Sequence, residues 1–516
     1  MNRSYCLTLL TALPLVGGLL VMLLPAGRSA AARRLAMVAS FAALAMVVCL
    51  WVGFDLSKAG FQYEESRGWI PSLGLDYHLG IDGLGLVMIL LAAILTPMAL
   101  LVSAREPSPV YHGLVLWVEA GLFGTFTALN FFHWFLFWEL GLVPAFFLIR
   151  LWGGPGRAAA ATQFFVYTMA GSVALLLAFL GLFVATGTFE FAKLAELGRS
   201  GGLADAVAAH LAPHGTGAGG LMLLLCTGVF LGFAVKVPVV PFHTWLPATY
   251  AEAPAGTTIL LTGAMSKMGV YGMLRILAPI FPAQMRLMST PLLWLAVATI
   301  VCAAAAAFAQ RDLKRMLAYS SINHLGYCLL GIFACATPGG LASDPDSERA
   351  AALSGVCLQM FNHGLTAALL FWFVDLLERR RGSRAIDDFG GVRRVAPVFC
   401  GLMGIAIFSS LGLPGLNGFV GEFLVFKGAF PLAPWAAVAA VPGLLITAVF
   451  LLTLIQRVFH GPVAPGVTGF PDLTPAERWS LAPGLVLMLV LGLYPQILLG
   501  PLHATLARLA PSLAPG

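Results

Sequence analysis

The sequence predicts an all-α protein that crosses a membrane many times. Hydrophobic residues make up 59% of the 516-residue chain, charged residues make up only 10%, and the mean hydropathy is +0.90. Since soluble domains carry about 25% charged residues, this chain has too few charges for a surface that faces water on all sides. Its formal net charge of +6 comes without the basic stripe or aromatic platform of a nucleic-acid-binding protein.

Fourteen segments have the apolar composition of a spanning helix, which takes about 20 residues. They cover residues 5–25, 35–54, 81–103, 111–129, 131–151, 160–185, 221–246, 256–281, 290–309, 315–335, 351–377, 397–430, 435–459 and 479–500. Three arginines (Arg28, Arg33 and Arg34) follow the first segment, which favours a span over a cleavable signal peptide. The longest links, 55–80 and 186–220, are too short for a separate domain outside the membrane.

The distribution of basic residues predicts the orientation of these spans. The links that follow odd-numbered spans hold 17 of the 29 Lys and Arg residues, and the even-numbered links with the two termini hold eight. Loops on the cytoplasmic side of a membrane protein carry the excess of Lys and Arg. We therefore expect the odd-numbered links in the cytoplasm and both termini on the outer side.

Seven ionisable side chains lie well inside the predicted spans. They are Glu119, Glu139, Lys236, Lys267, His324, His363 and Glu422. An ionisable group at this depth costs several kcal/mol and is a functional candidate, although a single histidine or a single Lys–Glu pair can also be a structural feature of a core. Arg275, which is near a span end, is expected to be an anchor that reaches toward the membrane surface.

Taken together, the seven groups favour proton transfer over a structural role. An inert scaffold would be more stable with apolar residues at these positions. Burial weakens the hold of a lysine on its proton and a nearby carboxylate strengthens it, so a lysine with a movable carboxylate partner can take up and release a proton. Histidines titrate near neutral pH and suit the relay between such sites, whereas arginine stays protonated.

Two of the spans contain residues that interrupt a helix. Pro238 and Pro241 follow Lys236 and leave the carbonyls of Ala234 and Val237 without helical donors, which predicts a hydrated pocket beside the lysine. The second interruption, just before the carboxylate at position 422, consists of Gly412, Pro414, Gly415, Gly418 and Gly421.

The interrupted spans are the seventh and the twelfth of the fourteen. A separation of five spans indicates an internal repeat whose two copies are inverted, because five is odd. Inverted repeats with broken helices at the midplane are typical of ion-translocating proteins. The alternative is that the prolines only bend the helices for packing.

Several motifs identify a family that this chain resembles. VKVPVVPFHTWLPATYAEAP, LLTGAMSKMGVYGMLRI, RDLKRMLAYSSINHLGY and GLPGLNGFVGEF are similar to motifs of the antiporter-like subunits of respiratory complex I and of multisubunit cation/proton antiporters. The resemblance covers residues from about 80 to 500. LGIDGLGLVMILL and the carboxylate of Glu422 resemble the M-type subunits of bacterial NADH–quinone oxidoreductase, since other large subunits of the family usually have lysine at that position.

The resemblance implies a fold of fourteen helices with two inverted five-helix repeats. Residues 1–110 would hold the first three spans, 111–281 the first repeat, 290–460 the second repeat, and 479–516 the last span and the C-terminus. It further implies that Glu139 pairs with Lys236. In the same way, Lys267, His324 and His363 would form a central relay, and Glu422 the far terminal site. We expect His363 or Lys267 to be the nearest relay to Glu422. Lys427, five residues on and about 140° further around an intact helix, is not expected to be its partner.

The function implied by the resemblance is proton translocation by a membrane subunit that carries no electrons. Redox chemistry in other subunits would drive it, so the chain itself is expected to hold no cofactor and no metal. Its eight cysteines include no C-x-x-C pair, which agrees with that expectation. The expected partners are the other antiporter-like subunits, the quinone-site subunits and the lipid bilayer of a bacterial inner membrane, with both termini on the periplasmic side.

One departure and several alternatives stand beside this interpretation. After HTWLP the family has an acid and then histidine, whereas Ala248 and Tyr250 stand here, which puts any acidic role of this loop in doubt. The closest alternative is the equivalent subunit of a cation/proton antiporter or a membrane-bound hydrogenase. A solitary solute carrier would need more polar residues at the breaks than this chain has. His243, at the first break, and Glu119, within the fourth span, are weaker site candidates. An inert scaffold would tolerate neutral residues in place of the buried charges.

Overall fold

The computed structural model describes residues 5–70, 75–104, 106, 108–211 and 217–512, which form a mostly helical bundle. Nine helices within these ranges are long and apolar enough to cross a membrane. They are Ala26–Val52, Gly83–Val102, Phe131–Trp152, Arg157–Thr186, Gly219–Lys236, Ser289–Phe308, Pro345–Arg381, Pro434–Phe459 and Pro475–Leu493. Two shorter apolar helices are Cys6–Met22 and Pro397–Ser410. A helical protein with many spans is thus confirmed.

The first part of the chain contains six long helices. They are α1 (Cys6–Met22), α2 (Ser29–Val52), α3 (Gly83–Val102), α4 (Pro109–Thr127), α5 (Phe131–Trp152) and α6 (Arg157–Thr186). The start of α5 is fixed by Asn130, whose side-chain oxygen accepts a hydrogen bond from Phe132 N–H at 2.9 Å. Such a cap satisfies one of the N–H groups that a helix leaves free at its first turn.

An antiparallel hairpin departs from the all-α prediction in the link between α2 and α3. Its strands are β1 (Gln62–Ile70) and β2 (Leu75–Ile81). The buried carboxylate of Glu65 accepts hydrogen bonds from Leu7 N–H at 2.6 Å and Thr8 N–H at 3.1 Å. Because these N–H groups begin α1 and have no partner within the helix, the hairpin holds the first span in place.

The other long link also contains secondary structure. It forms two short helices, α7 (Phe191–Ser200) and α8 (Gly202–Leu211). α7 buries Phe191, Leu194 and Ala195. These apolar residues recur at three- to four-residue spacing, so one face of α7 packs on the protein and the other is exposed.

The predicted interruption of the seventh span is present. α9 (Ala218–Lys236) ends at the lysine, and the chain resumes helical structure only at α10 (Trp245–Glu252). The carbonyl of Ala234, expected to face a hydrated pocket, instead accepts a hydrogen bond from Val239 N–H at 2.8 Å. That expectation is wrong for this carbonyl, because the turn after the helix brings a backbone donor back to it.

The segment 255–280 is a continuous, mostly apolar helical stretch in which α-helical and π-helical turns alternate. It consists of α11 (Ala255–Leu260), a π-helical turn (Leu261–Met265), α12 (Ser266–Gly272), a second π-helical turn (Met273–Leu277) and α13 (Ala278–Ile280). π-Helical turns occur frequently at functional sites. Here they flank the short helix that carries Lys267.

The remaining helices complete the bundle. They are α14 (Pro282–Leu287), α15 (Ser289–Phe308), α16 (Leu313–Cys335), α17 (Pro345–Arg381), α18 (Val392–Val395), α19 (Pro397–Ser410), α20 (Asn417–Leu432), α21 (Pro434–Leu454), α22 (Pro475–Leu493) and α23 (Gln496–Ser512). The interruption between α19 and α20 was predicted from its glycines. The last predicted span, 479–500, is wrong at its end, because the helix stops before Pro495 and a separate α23 begins.

Two helices lie at the centre of the bundle. The most apolar stretch of α17 is entirely buried, and 83% of the corresponding stretch of α3 is buried. α23 closes one end of α3, where Thr505 Oγ1 accepts a hydrogen bond from Gly83 N–H at 2.9 Å. Side chains that project from this stretch of α17 are therefore shielded from the surroundings of the protein.

Candidate functional site

Lys267 and His363 form the first link of a buried polar row. The ammonium of Lys267 is fully buried, and its Nζ lies 2.9 Å from His363 Nδ1. Since an ammonium only donates, this nitrogen of the histidine accepts. Lys267 also donates to the carbonyl of Thr262, at the π-helical turn that precedes it, and lies 3.4 Å from Ser266 Oγ.

His324 continues the row on α16. The rings of His363 and His324 have centroids 5.1 Å apart. His324 Nδ1 lies 3.0 Å from Glu422 Oε1, and its Nε2 lies 3.1 Å from Ser410 Oγ. The structure thus brings together four of the predicted residues, in the order Lys267, His363, His324 and Glu422, which we call the central row.

The direct partner of Glu422 differs from the prediction. His363 or Lys267 was expected as its nearest relay, but His324 occupies that place. Helical periodicity could not reveal which of these residues contacts Glu422. That contact depends on how α16, α17 and α20 are positioned relative to one another along their axes. The expectation that Lys427 is not the partner of Glu422 agrees with the structure, since Lys427 Nζ pairs with Glu348 at 2.7 Å.

The break between α19 and α20 shapes the far end of the central row. Gly412 has φ of +79°, and a Cβ there would come within 3.0 Å of Glu422 Oε2. Only glycine adopts this conformation without strain. The turn places Ser410 against His324 and leaves a polar cavity of about 10 Å³ lined by His324, Gln359, His363, Thr366, Ser409, Ser410, Gly418 and Glu422. That volume is close to the smallest that admits one water molecule.

Glu139 and Lys236 do not form a direct ion pair. Lys236 is 2% exposed and its Nζ lies 4.7 Å from the centroid of the Trp138 ring, next to Glu139 in sequence. Within the described ranges, neither the Lys236 ammonium nor the Glu139 carboxylate has a hydrogen-bonding partner. The Glu139 carboxylate is nevertheless near enough to interact electrostatically with the Lys236 ammonium.

The two weaker candidates lie apart from the central row. Glu119 is fully buried on α4 without a hydrogen bond to any described residue, although the Thr96 hydroxyl is close. His243 is half-buried in the break after α9, with its ring 6.3 Å from the Tyr319 ring. No contact within the described part of the chain joins either residue to the central row.

His112 is a buried ionisable residue that the sequence interpretation missed. Its side chain is fully buried on α4, and neither ring nitrogen has a partner among the residues that the structure describes. Glu119 follows seven residues later, so both side chains lie on the same face of the helix, about 10.5 Å apart along its axis. The signal that could have found it is this spacing in YHGLVLWVE.

Arg275 is not the surface anchor that was expected. Its side chain is only 6% exposed and forms an ion pair with Asp82. Asp82 also caps α3, accepting from Gly85 N–H at 3.1 Å, and lies 3.3 Å from Arg508 Nη2. A buried arginine needs such a partner, because an unpaired charge in a low-dielectric interior is strongly unfavourable.

Arg384 forms an ion-pair cluster outside the spans. Its guanidinium bonds Glu252 at 2.9 Å and Asp312 at 2.5 Å. Burial alone would raise the pKa of Glu252, but the hydrogen bonds from Arg384 and from Gly156 N–H hold it below its ordinary value. This cluster ties the loop after α17 to the ends of α10 and α16.

Comparisons with known proteins agree with the motifs. Residues 128–447 match the family described as "NADH:quinone oxidoreductase/Mrp antiporter, TM". The chain is 34% identical to NADH-quinone oxidoreductase subunit M of Mycobacterium tuberculosis, covering 96% of this chain and 92% of the relative. It is 34% identical to the subunit M of Rhodobacter capsulatus, covering 97% and 96%.

Solved structures give the same result. A chain of respiratory complex I from Thermus thermophilus matches with TM-score 0.83 and 28% identity, covering 99% of this chain and 100% of that one. A chain of the Mrp complex from Dietzia sp. matches with TM-score 0.83 and 21% identity over the whole of both chains, which shows a common fold. The family match covers well over half of the residues, so the chain belongs to the NADH:quinone oxidoreductase/Mrp antiporter transmembrane family.

Proposed function

We propose that this chain is the M-type proton-translocating subunit of a complex I-type NADH–quinone oxidoreductase, in which the central row carries the proton. The observation that carries the proposal is the contact series from Lys267 through His363 and His324 to Glu422. A scaffold would not maintain four ionisable groups in an apolar interior, because their desolvation is not recovered as stability.

The geometry supports stepwise transfer along the row. Lys267 releases a proton to Nδ1 of His363 over 2.9 Å, and the lysine is left neutral. The proton crosses from His363 to His324, whose rings are 5.1 Å apart, through the space for a water molecule between them. His324 then delivers a proton from Nδ1 to the carboxylate of Glu422 over 3.0 Å.

In this proposal, Glu139 and Lys236 control the uptake and release of the proton in the first half of the path. The charged atoms of both are buried and have no hydrogen-bonding partner among the described residues, so small movements of the α9 end change their mutual attraction substantially. Approach of Glu139 holds the proton on Lys236, and retreat releases it. We propose this change as the link between redox events elsewhere in the complex and proton movement here.

The wider architecture in this proposal is that of the family. Fourteen spans would include two inverted repeats, 111–281 and 290–460, with both termini on the periplasmic side of a bacterial inner membrane. The NADH, quinone and metal sites would belong to partner subunits, and this chain would take part in the reaction as a translocating, non-redox subunit. The breaks after Lys236 and before Glu422 support the repeat, since each interrupts one helix beside an ionisable group.

The test replaces Lys267 with methionine in the assembled complex. Lys267→Met keeps the length of the side chain and removes its proton, so NADH-driven acidification of proteoliposomes should be lost while the complex assembles. Lys427→Met is the matched control, because that lysine is a surface residue paired with Glu348. Equal pumping by both variants would contradict the proposal. Transport that requires sodium would favour the cation/proton antiporter.

A further inference from the structure

A cationic cavity lies away from the central row, between the hairpin link, α7 and α23. Its volume is about 410 Å³. Three arginines (Arg199, Arg275 and Arg508) line it together with apolar side chains that include Phe61 and Phe191. We propose that this cavity binds the phosphate of an anionic phospholipid headgroup.

The charges of the cavity favour an anionic ligand. Among the described residues, Asp82 is the carboxylate that pairs with these arginines, and it binds both Arg275 and Arg508. Arg199 has no ion pair in the part of the chain that the structure describes. Three guanidinium groups against one carboxylate leave an excess of two positive charges, which one headgroup with one or two phosphates would neutralise.

The cationic groups are held in place before any ligand binds. The guanidinium carbons of Arg275 and Arg508 each lie 5.1 Å from the centroid of the Phe61 ring. Cation–π contacts of this kind, together with the shared carboxylate, fix both side chains. Arg508 remains 41% exposed, so its outer N–H groups can donate to a ligand. Arginine suits this role, since its planar fork binds phosphate oxygens in pairs.

The depth of the cavity indicates a lipid rather than a free ion. α3 begins beside it at Gly83, and the segment 255–280 ends beside it near Pro279. The ends of spanning helices lie at the level of the headgroups, where guanidinium groups can bind lipid phosphates. The apolar walls at Phe191 and Pro511 would contact the glycerol and the upper acyl chain. A free phosphate has no apolar part that could pack against these walls.

Headgroup photolabelling of the intact complex tests the proposal. The complex is reconstituted in phosphatidylcholine nanodiscs that contain a phosphatidylglycerol analogue with a photoactivatable headgroup, and labelled peptides are quantified by mass spectrometry. We expect labelling of residues 191–199 and 500–511. Since each basic residue contributes about 1 kcal/mol to binding an anionic lipid, Arg199→Ala should reduce this labelling about fivefold.

Lys193→Ala is the matched control, because Lys193 is an exposed cation on the same helix α7 and does not line the cavity. Arg508→Ala should reduce labelling as Arg199→Ala does. Unchanged labelling in Arg199→Ala, or an equal loss in Lys193→Ala, would overturn the proposal. Equal labelling by a phosphatidylcholine probe would also overturn it. Abolition of labelling by millimolar inorganic phosphate would identify a free anion as the ligand instead.

Discussion

Replacement of Glu422 by glutamine removes the acid at the end of the central row with almost no change in shape. In the parental chain, the carboxylate lies 3.0 Å from His324 Nδ1. A hydrogen bond between charged groups contributes about 1.5–3 kcal/mol, whereas a neutral one contributes about 1. Replacement by glutamine therefore weakens this contact by about 0.5–2 kcal/mol, which corresponds to about a two- to thirtyfold change in an equilibrium constant.

The amide also cannot accept the proton itself, so transfer should fall by at least this factor. The assay is NADH-driven proton uptake into proteoliposomes, normalised to NADH:quinone turnover, with assembly checked by native electrophoresis. Glu422→Asp should preserve most of the pumping, because the acid is retained. Lys427→Ala should have a small effect, since that lysine is 42% exposed and bound to Glu348. Normal pumping by Glu422→Gln, or loss of pumping in Lys427→Ala alone, would refute this prediction.

Three further predictions concern other parts of the molecule. Glu139→Gln and Lys236→Ala should each lower pumping severalfold without loss of assembly, because each leaves its partner without the opposite charge; parental pumping in both assembled variants would favour a scaffold. Cysteines are placed at Ser383 and Ser200 in a background that lacks the exposed Cys49 and Cys302. An impermeant reagent should label the cysteine at position 383 from the cytoplasmic side and the cysteine at position 200 from the outer side. Labelling of both from one side would contradict the topology. The hydrogen bond to Glu190 raises the pKa of His78 above its ordinary value of 6.5. The stabilisation of the hairpin by this contact is therefore fully present below pH 6.5 and is lost as pH rises through the raised pKa. His78→Gln should remove this pH dependence from the hydrogen-exchange rates of the hairpin, and an unchanged pH profile would show that His78 is not its source.

The spans and the identities of the buried charges could be predicted because both follow from local composition. A run of apolar residues must cross the bilayer, and Lys267 or Glu422 within it cannot be a surface residue. The interruptions could be predicted for the same reason, since proline and glycine act on their own backbone. The predicted break before Glu422 is present in the structure, and Gly412 within it has a positive φ.

Features that depend on relations between distant segments could not be predicted. His324 contacts Glu422 because α16 and α20 pack at one particular height, which no periodicity encodes. Arg275 is buried because a carboxylate 193 positions earlier neutralises it. The hairpin was missed because its first strand is mostly exposed and polar, so this strand lacks the apolar alternation that marks a half-buried strand.

The most direct test of proton transfer along the central row is the number of protons translocated per NADH oxidised when the row is cut at its middle. His363 connects Lys267 to His324 and lies on the fully buried part of α17. Comparison of His363→Gln with His503→Gln, an exposed histidine of α23, separates loss of the relay from loss of any histidine. We predict a lower proton-to-NADH ratio in His363→Gln and the parental ratio in His503→Gln. A parental ratio in an assembled His363→Gln complex would contradict proton transfer along the row.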